Sequence, residues 1–221
     1  MLNSIKIIKN RSDIGAGTRG SDMGIDAIEI AAINKNNNYF EQFEFTDVST
    51  ANESIYNKVK NSFAKRIDCV LVQCTRLSNH VKVTLQEKTF PIVLSGDHSS
   101  ALGTISGVKA ALSKQTVGVV WIDAHADIHS PYTSPSGNIH GMPLAAVLSE
   151  DNLDFQINEV TRETSDLWER MKNIGVLGPK VAAENVVYFG VRDTEEPEEN
   201  QIKNLQIKNY TVSEIRYKGL E

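Results

Sequence analysis

The 221-residue chain has few of the features that would place it in a membrane, on a nucleic acid or outside the cell. It holds only two cysteines, Cys69 and Cys74. Their spacing points them to different sides of a helix, so no disulfide framework follows and two core thiols in a reducing compartment are expected. No run approaches the ~18 apolar residues of a membrane span. The opening MLNSIKIIKNRSD is interrupted by Lys6, Lys9 and Asn10, too early for the apolar region of a signal peptide, and a cytoplasmic chain is expected. Positive charge is in deficit, with 23 basic against 28 acidic residues and a net charge of −5. That balance argues against a duplex-binding surface and favours a small, cationic substrate. There is no Gly-x-Ser-x-Gly nucleophile elbow and no Walker phosphate loop. No repeat, low-complexity tract or Pro/Ser linker divides the chain, so one core is expected.

What is present is an alternation of short apolar runs and helical stripes. Ile5 to Ile8 reads as a strand, Gly24 to Ile33 as a helix and Glu41 to Phe45 as a second strand. Ile55, Val59 and Phe63, four apart, predict a helix over 53–65. Ile67, Val70, Leu71, Cys74, Leu77, Val81 and Leu85 form the core stripe of a longer one. Pro91 to Leu94, Thr116 to Ile122 and Val186 to Val191 are continuous apolar runs, as in strands covered on both faces. With a helix over Ser99 to Leu112, residues 90–122 are expected to form one βαβ unit with a right-handed crossover. A weaker helix is read near Glu163 to Ile174, with Trp168 as a packing residue, and an acidic segment runs from Asp193 to Glu199. The fold class is α/β around a mainly parallel sheet.

The chemistry concentrates in WIDAHAD, residues 121–127, where a strand runs out. In extended backbone, positions i, i+2 and i+4 share a face, so Asp123, His125 and Asp127 are expected to converge. His98, in SGDHSS, stands in the same relation to the preceding parallel strand, and strands of one sheet deliver their following loops to one edge. Each of these residues alone would be read as a cap or a satisfied surface group. Their clustering points instead to a metal site. Imidazole and carboxylate without sulfur suit manganese, iron, zinc, cobalt or nickel, and several carboxylates favour an octahedral ion or a pair of ions, which makes hydrolysis the natural chemistry. Asp97 is expected either to hydrogen-bond a ligand histidine or to cap the helix that follows. The polar loop 128–144, IHSPYTSPSGNIHGMPL, carries His129, Ser136, Asn138 and His140, and His140 has the chemistry of a proton relay.

These segments carry a resemblance. SGDHSSALGTISG at 95–107, WIDAHADIHSPYTSPSGNIHGMPLA at 121–145 and VVYFGVRDTEEPE at 186–198 resemble three successive signatures of the arginase branch of the ureohydrolase family, and GAGTRGSDMGIDAI at 15–28 is similar to its amino-terminal loop. The resemblance implies a three-layer α/β/α fold and a two-manganese hydrolase (cobalt and nickel being alternatives) converting L-arginine to L-ornithine and urea. It implies that His98, Asp123 and Asp127 hold one ion, while His125 and a bridging Asp123 hold the other. His140 matches a proton shuttle and is the catalytic residue together with Asp127. Ser136 and Asn138 match contacts to the substrate α-carboxylate, and Arg192 and Asp193 match the next motif, with a mutual structural pairing as the simpler role. A homo-oligomer, trimer or hexamer, is implied as well.

Three departures qualify this picture. His129 stands where arginases usually place an Asn near the α-carboxylate, and Glu195 where they place an Asp facing the α-amino group, so substrate preference is a variable. The family's later S-F-D-x-D-x-x-D-P segment, which supplies two further Asp ligands, has no counterpart before Glu221. Residues 1–221 are therefore expected to be a single ureohydrolase domain incomplete at its carboxyl end, with unpaired inner edges on the strands ending near Leu94 and Ile122 and a weakly held second ion. The alternatives are an agmatinase or formimidoylglutamase acting on another guanidino or formimino substrate, and a metal-binding relative without turnover. GAGTRG at 15–20 also has dinucleotide-loop spacing, but residues 10–13 separate it from the strand and Ser21-Asp22 from the helix.

Overall fold

The first apolar run becomes β1 (Ser4–Asn10), the middle strand of a parallel sheet between β2 (Glu44–Asp47) and β3 (Thr89–Ser95), in the computed structural model, which describes residues 4–219. Met1–Asn3 of the amino-terminal reading lie outside the described residues. A second parallel sheet is ordered β4 (Val119–Ile122), β5 (Val186–Phe189), β6 (Lys208–Tyr210), with Trp121 opposite Tyr188. The helices are α1 (Gly24–Asn34), α2 (Tyr39–Gln42), α3 (Ile67–Gln86), α4 (Ser100–Ala111), α5 (Pro143–Leu148), α6 (Arg162–Lys172), α7 (Glu196–Asn204) and α8 (Val212–Lys218). None of the described helices is long and apolar enough to cross a membrane.

The predicted stripe of α3 is its buried face, including Ile67, Val70, Leu77 and Val81. It packs on α4 at backbone range, because a Cβ at Gly103 would come 2.7 Å from the Cys74 carbonyl oxygen. Cys74 is buried, with its thiol pushed up to about 12 by burial and by Asp97, while Cys69 is only half-buried, and both are free thiols. The larger core gathers Trp121, Ile128, Ile139, Leu144 to Leu148 of α5, Trp168, Met171 and Tyr188. It includes Trp121 of β4, Tyr188 of β5 and Ile128 and Ile139 of the loop after β4, so the site stands on the larger of the two buried clusters.

Three expectations need correction. Residues 53–65 do not form a helix. A 3-10 turn, Asn52–Tyr56, gives way to extended backbone at Asn57, because this segment is bonded elsewhere: Asn61 Oδ1 accepts from the Thr164 hydroxyl at 2.8 Å, and Lys65 N–H donates to Gly137 O at 2.7 Å. Such long-range bonds outweigh a three-residue stripe. The strand expected over 41–45 begins only at Glu44, after the short α2. Residues 90–122 do not make a hydrogen-bonded βαβ pair, since β3 pairs only with β1, and β4 only with β5, among the described residues. Phe90, Val120 and Ile122 are correspondingly exposed.

Candidate metal centre and substrate cleft

Although β3 and β4 belong to different sheets, the loops leaving their carboxyl ends meet. His98, immediately before the N-cap of α4, places Nδ1 2.6 Å from Asp127 Oδ2 and 3.0 Å from Asp123 Oδ2. Its ring stacks on Trp121 at 4.4 Å between centroids, so the last turn of core beneath β4 orients the imidazole. Burial alone would lower the His98 pKa. The Asp127 hydrogen bond and the charges of Asp127, Asp123 and Asp97 outweigh it and raise the value above the ordinary 6.5.

Asp123, His125 and Asp127 do not converge by strand alternation. The strand ends at Ile122, the chain bends, and Asp127 adopts φ 49°, a left-handed conformation in which Asp is tolerated better than most residues. The turn returns the Asp127 carboxylate to Asp123 and His98, and leaves His125 outside that trio. His125 lies 3.6 Å from Asp123 Oδ1 through Nδ1 and 3.4 Å from Asp193 Oδ2 through Nε2. β5 supports the bend from below: the Tyr188 hydroxyl donates to Ala126 O at 3.0 Å, and the Arg192 and Asp193 amides donate to Ala124 O. Arg192 itself donates to Gly190 O rather than pairing with Asp193.

His98, Asp123 and Asp127 each offer one ligand atom within 4.8 Å of the others. The donor set is nitrogen and carboxylate oxygen without thiolate, two acids facing one imidazole, which fits a divalent cation such as manganese, cobalt or nickel. Asp97 takes neither expected role: the N-cap of α4 is Ser99, with no side-chain cap. Its carboxylate accepts Ser99 N–H at 2.8 Å and Gly15 N–H at 2.9 Å, tying the 15–20 loop to the metal loop instead of touching His98 by hydrogen bond.

The trio opens into a cleft of about 420 Å³ that also carries His125, His129, Ser134, Ser136, Asn138, His140, Asp193, Glu195 and Glu198. The 128–144 loop follows an irregular path held by bonds from distant segments. Asn158 donates to Pro131 O at 3.0 Å and Ser134 O at 2.7 Å, and Ser130 Oγ donates to Asp151 O, while Asp151 also accepts from Trp168 and Lys172. Residues 150–180, in which the sequence shows no motif, thus clamp the 128–144 loop. Gly137, at φ 69°, passes so close to Ser62 O that a side chain there would overlap it. His140 is exposed at the cleft, with its backbone N–H on Gly15 O at 3.1 Å.

Glu198 and Thr133 were not singled out from the sequence. Glu195 is the N-cap of α7 and Glu198 its N3 residue, the two forming a reciprocal capping box whose Glu-x-x-Glu form lacks the usual Ser or Thr signal. Glu198 is buried and receives Ile128 N–H at 3.3 Å, so α7 is anchored to the metal loop. Burial raises its carboxyl pKa above the ordinary value, opposed by His129 and by the Glu195 and Ile128 amides.

The family model described as "Arginase family" matches residues 3–221. The chain is 37% identical to the arginase of Brevibacillus brevis over 225 residues, covering 100% of this chain and 68% of that protein. It is 35% identical to the arginase of Bacillus subtilis (strain 168), with the same two coverages. It superposes on the native structure of arginase from Bacillus caldovelox with a TM-score of 0.77 at 34% identity, covering 98% of this chain and 67% of that one.

Proposed function

The chain belongs to the arginase family, and we propose that it hydrolyses L-arginine to L-ornithine and urea in the cleft beside His98, Asp123 and Asp127. The observation that carries the reading is the approach of His98 Nδ1 to both aspartates across two separate sheets. Those three residues would hold one divalent cation, manganese in the first instance. His125 and Asp123 would hold another, with fewer donors among the described residues, so one ion is expected to be tight and the second weak. Bound there, such cations would supply Lewis acidity and lower the pKa of water toward neutrality.

The protein's own groups do the rest. The exposed carboxylate of Asp193, on the wall of the same cleft, attracts the cationic guanidinium. Trp121 keeps the His98 ring from rotating, which holds the ligand geometry before substrate arrives. His140, exposed on the cleft, carries a proton to the departing ornithine amine. Ser136 and Asn138 supply hydroxyl and amide donors for the substrate carboxylate, and Glu195 accepts from the α-ammonium. A homo-oligomer belongs to the same proposal and is tested by light scattering.

The test is urea release by the manganese-loaded chain. L-arginine is expected to be the substrate and agmatine, which lacks the carboxylate, is not. Preference for agmatine would transfer the reading to a decarboxylated guanidino substrate. Metal binding with no urea from either compound would leave a relative without turnover.

A further inference from the structure

The glycine-rich stretch at 15–20 lies between the loop that carries His98 and the 3-10 turn, Ile139–Gly141, that carries His140. Gly15 is buried there and bonds in both directions. Its N–H donates to Asp97 Oδ2 at 2.9 Å, and its carbonyl accepts His140 N–H at 3.1 Å. A Cβ at Gly15 would come 2.5 Å from Ser99 Oγ and 2.8 Å from Asp97 Oδ1, the residues on either side of His98. One residue thus spans from the ligand loop to the proton relay, with no room for a side chain.

A clasp at the base of this stretch holds it in place. Asp13 is fully buried, and its Oδ2 accepts Gly20 N–H at 2.8 Å. Burial raises the Asp13 carboxyl above its ordinary 3.8 and the neighbouring Asp22 raises it further, against the Gly20 amide and Arg19. Arg19 reaches both acids: Nη2 donates to Asp22 Oδ2, and Nε lies 3.5 Å from Asp13 Oδ1. Its Nη1 donates to Asn52 O at 3.4 Å, and Asn52 Nδ2 donates in turn to Arg11 O at 2.7 Å, so the clasp is tied to the end of β1. Without the guanidinium, two crowded buried carboxylates would repel each other and open the loop.

We propose that Gly15 sets the spacing between the loop that carries His98 and His140, and that Arg19 is the positioning residue that keeps Gly15 there. This deepens the arginase reading and rests on it. Arg19 acts through the backbone of the loop, since its partners are Asp13, Asp22 and Asn52. Opening the clasp frees residues 14–20 to leave Asp97 and His140, and the relay loses its fixed distance from the ligand loop. A misplaced proton donor slows turnover more than it weakens substrate binding.

Amide hydrogen exchange of the chain without metal tests the geometry. Arg19→Gln is expected to speed exchange of the Gly15 and His140 amides roughly 10- to 100-fold, the scale of lost hydrogen bonds to charged groups. The amides of β1 are expected to stay within about twofold of the parent, because the opening is local. Uniform acceleration, or none, overturns the proposal. In the manganese-loaded chain the same variant is expected to lower kcat for urea release roughly 10- to 100-fold with KM within about threefold. A raised KM at parental kcat overturns it as well. Arg19→Lys keeps the charge between the acids and is expected within about threefold of the parent in both measurements, and a lysine variant as defective as Arg19→Gln contradicts the clasp. If Arg19→Gln does not fold, Gly15→Ala carries the comparison: it forces the loop from Asp97 and Ser99 with the clasp intact, and parental kcat and His140 exchange in it refute the spacing. Absence of urea release from the parent chain refutes the arginase reading, while the exchange pattern still decides the clasp.

Discussion

Two places in the cleft have the same chemical formula, one imidazole nitrogen facing two carboxylates, and opposite character. At His98 the nitrogen stands 2.6 and 3.0 Å from Asp127 and Asp123. At His129 it stands 3.0 and 3.5 Å from Glu195 and Glu198. The first cluster is oriented by stacking on Trp121, which uses no ligand atom, and its donors come from loops of two sheets. The second is closed by hydrogen bonds: Thr133 takes the other ring nitrogen, while the Ile128 and Glu195 amides take Glu198. Among the described residues only the first offers three ligand atoms within reach of one cation. Residue type alone therefore does not make a metal site. What distinguishes the two is whether the protein has already satisfied the lone pairs.

Breaking the open cluster has the largest expected effect. Asp127→Ala should lower urea release on the order of 100- to 1,000-fold, the scale of losing one preorganised charge-stabilising group, and should lower bound metal measured by inductively coupled plasma spectrometry. Retained metal with full activity would show that the trio is not the site. Chelation follows in size. At a free ion concentration about 100 times Kd, bound metal adds about 2.7 kcal/mol of stability, so treatment with a chelator should lower the thermal midpoint, and Asp127→Ala should abolish that difference. Trp121→Leu removes the stacking but no ligand, and is expected to weaken metal affinity roughly 10- to 100-fold by direct titration.

The closed cluster gives the smallest effect and a different signature. Glu198→Gln should leave metal content unchanged and raise KM for L-arginine about tenfold, through loosening of His129. Its pH dependence has a definite sign. Because the folded-state pKa of Glu198 is raised, the folded chain holds its proton more tightly than the unfolded chain. The stability contribution is then present below the ordinary value of 4.5 and is lost as pH rises through the raised one. The stability difference between the parent chain and Glu198→Gln, followed by denaturant titration, should therefore decline as pH rises above 4.5, and a difference that grows with pH would contradict the assignment.

The legible parts of the fold were those with a strong local period. The seven-residue stripe of α3 and the apolar runs of β1, β3 and β5 need little beyond their own spacing. The helix read over 53–65 failed because Asn61 and Lys65 bond to Thr164 and Gly137, partners far away in the chain. α7 was legible only as an acidic segment, since its capping box uses Glu195 in place of Ser or Thr. β6 is three residues of mixed polarity, paired because β5 offers it an edge.

The site divides in the same way. Residue order by itself determined that His98, Asp123, His125 and Asp127 fall at strand ends and that a polar loop carrying His129, Ser136, Asn138 and His140 follows, because ligands need those residue types and parallel α/β strands bring loops to one edge. Only the tertiary structure decided which of them meet. A left-handed turn at Asp127 replaced the expected alternation, α7 carried Glu198 beneath His129, and Thr133 chose the face that the imidazole shows. Those choices depend on which distant donors reach a buried oxygen or nitrogen first, and one-dimensional spacing does not contain that competition.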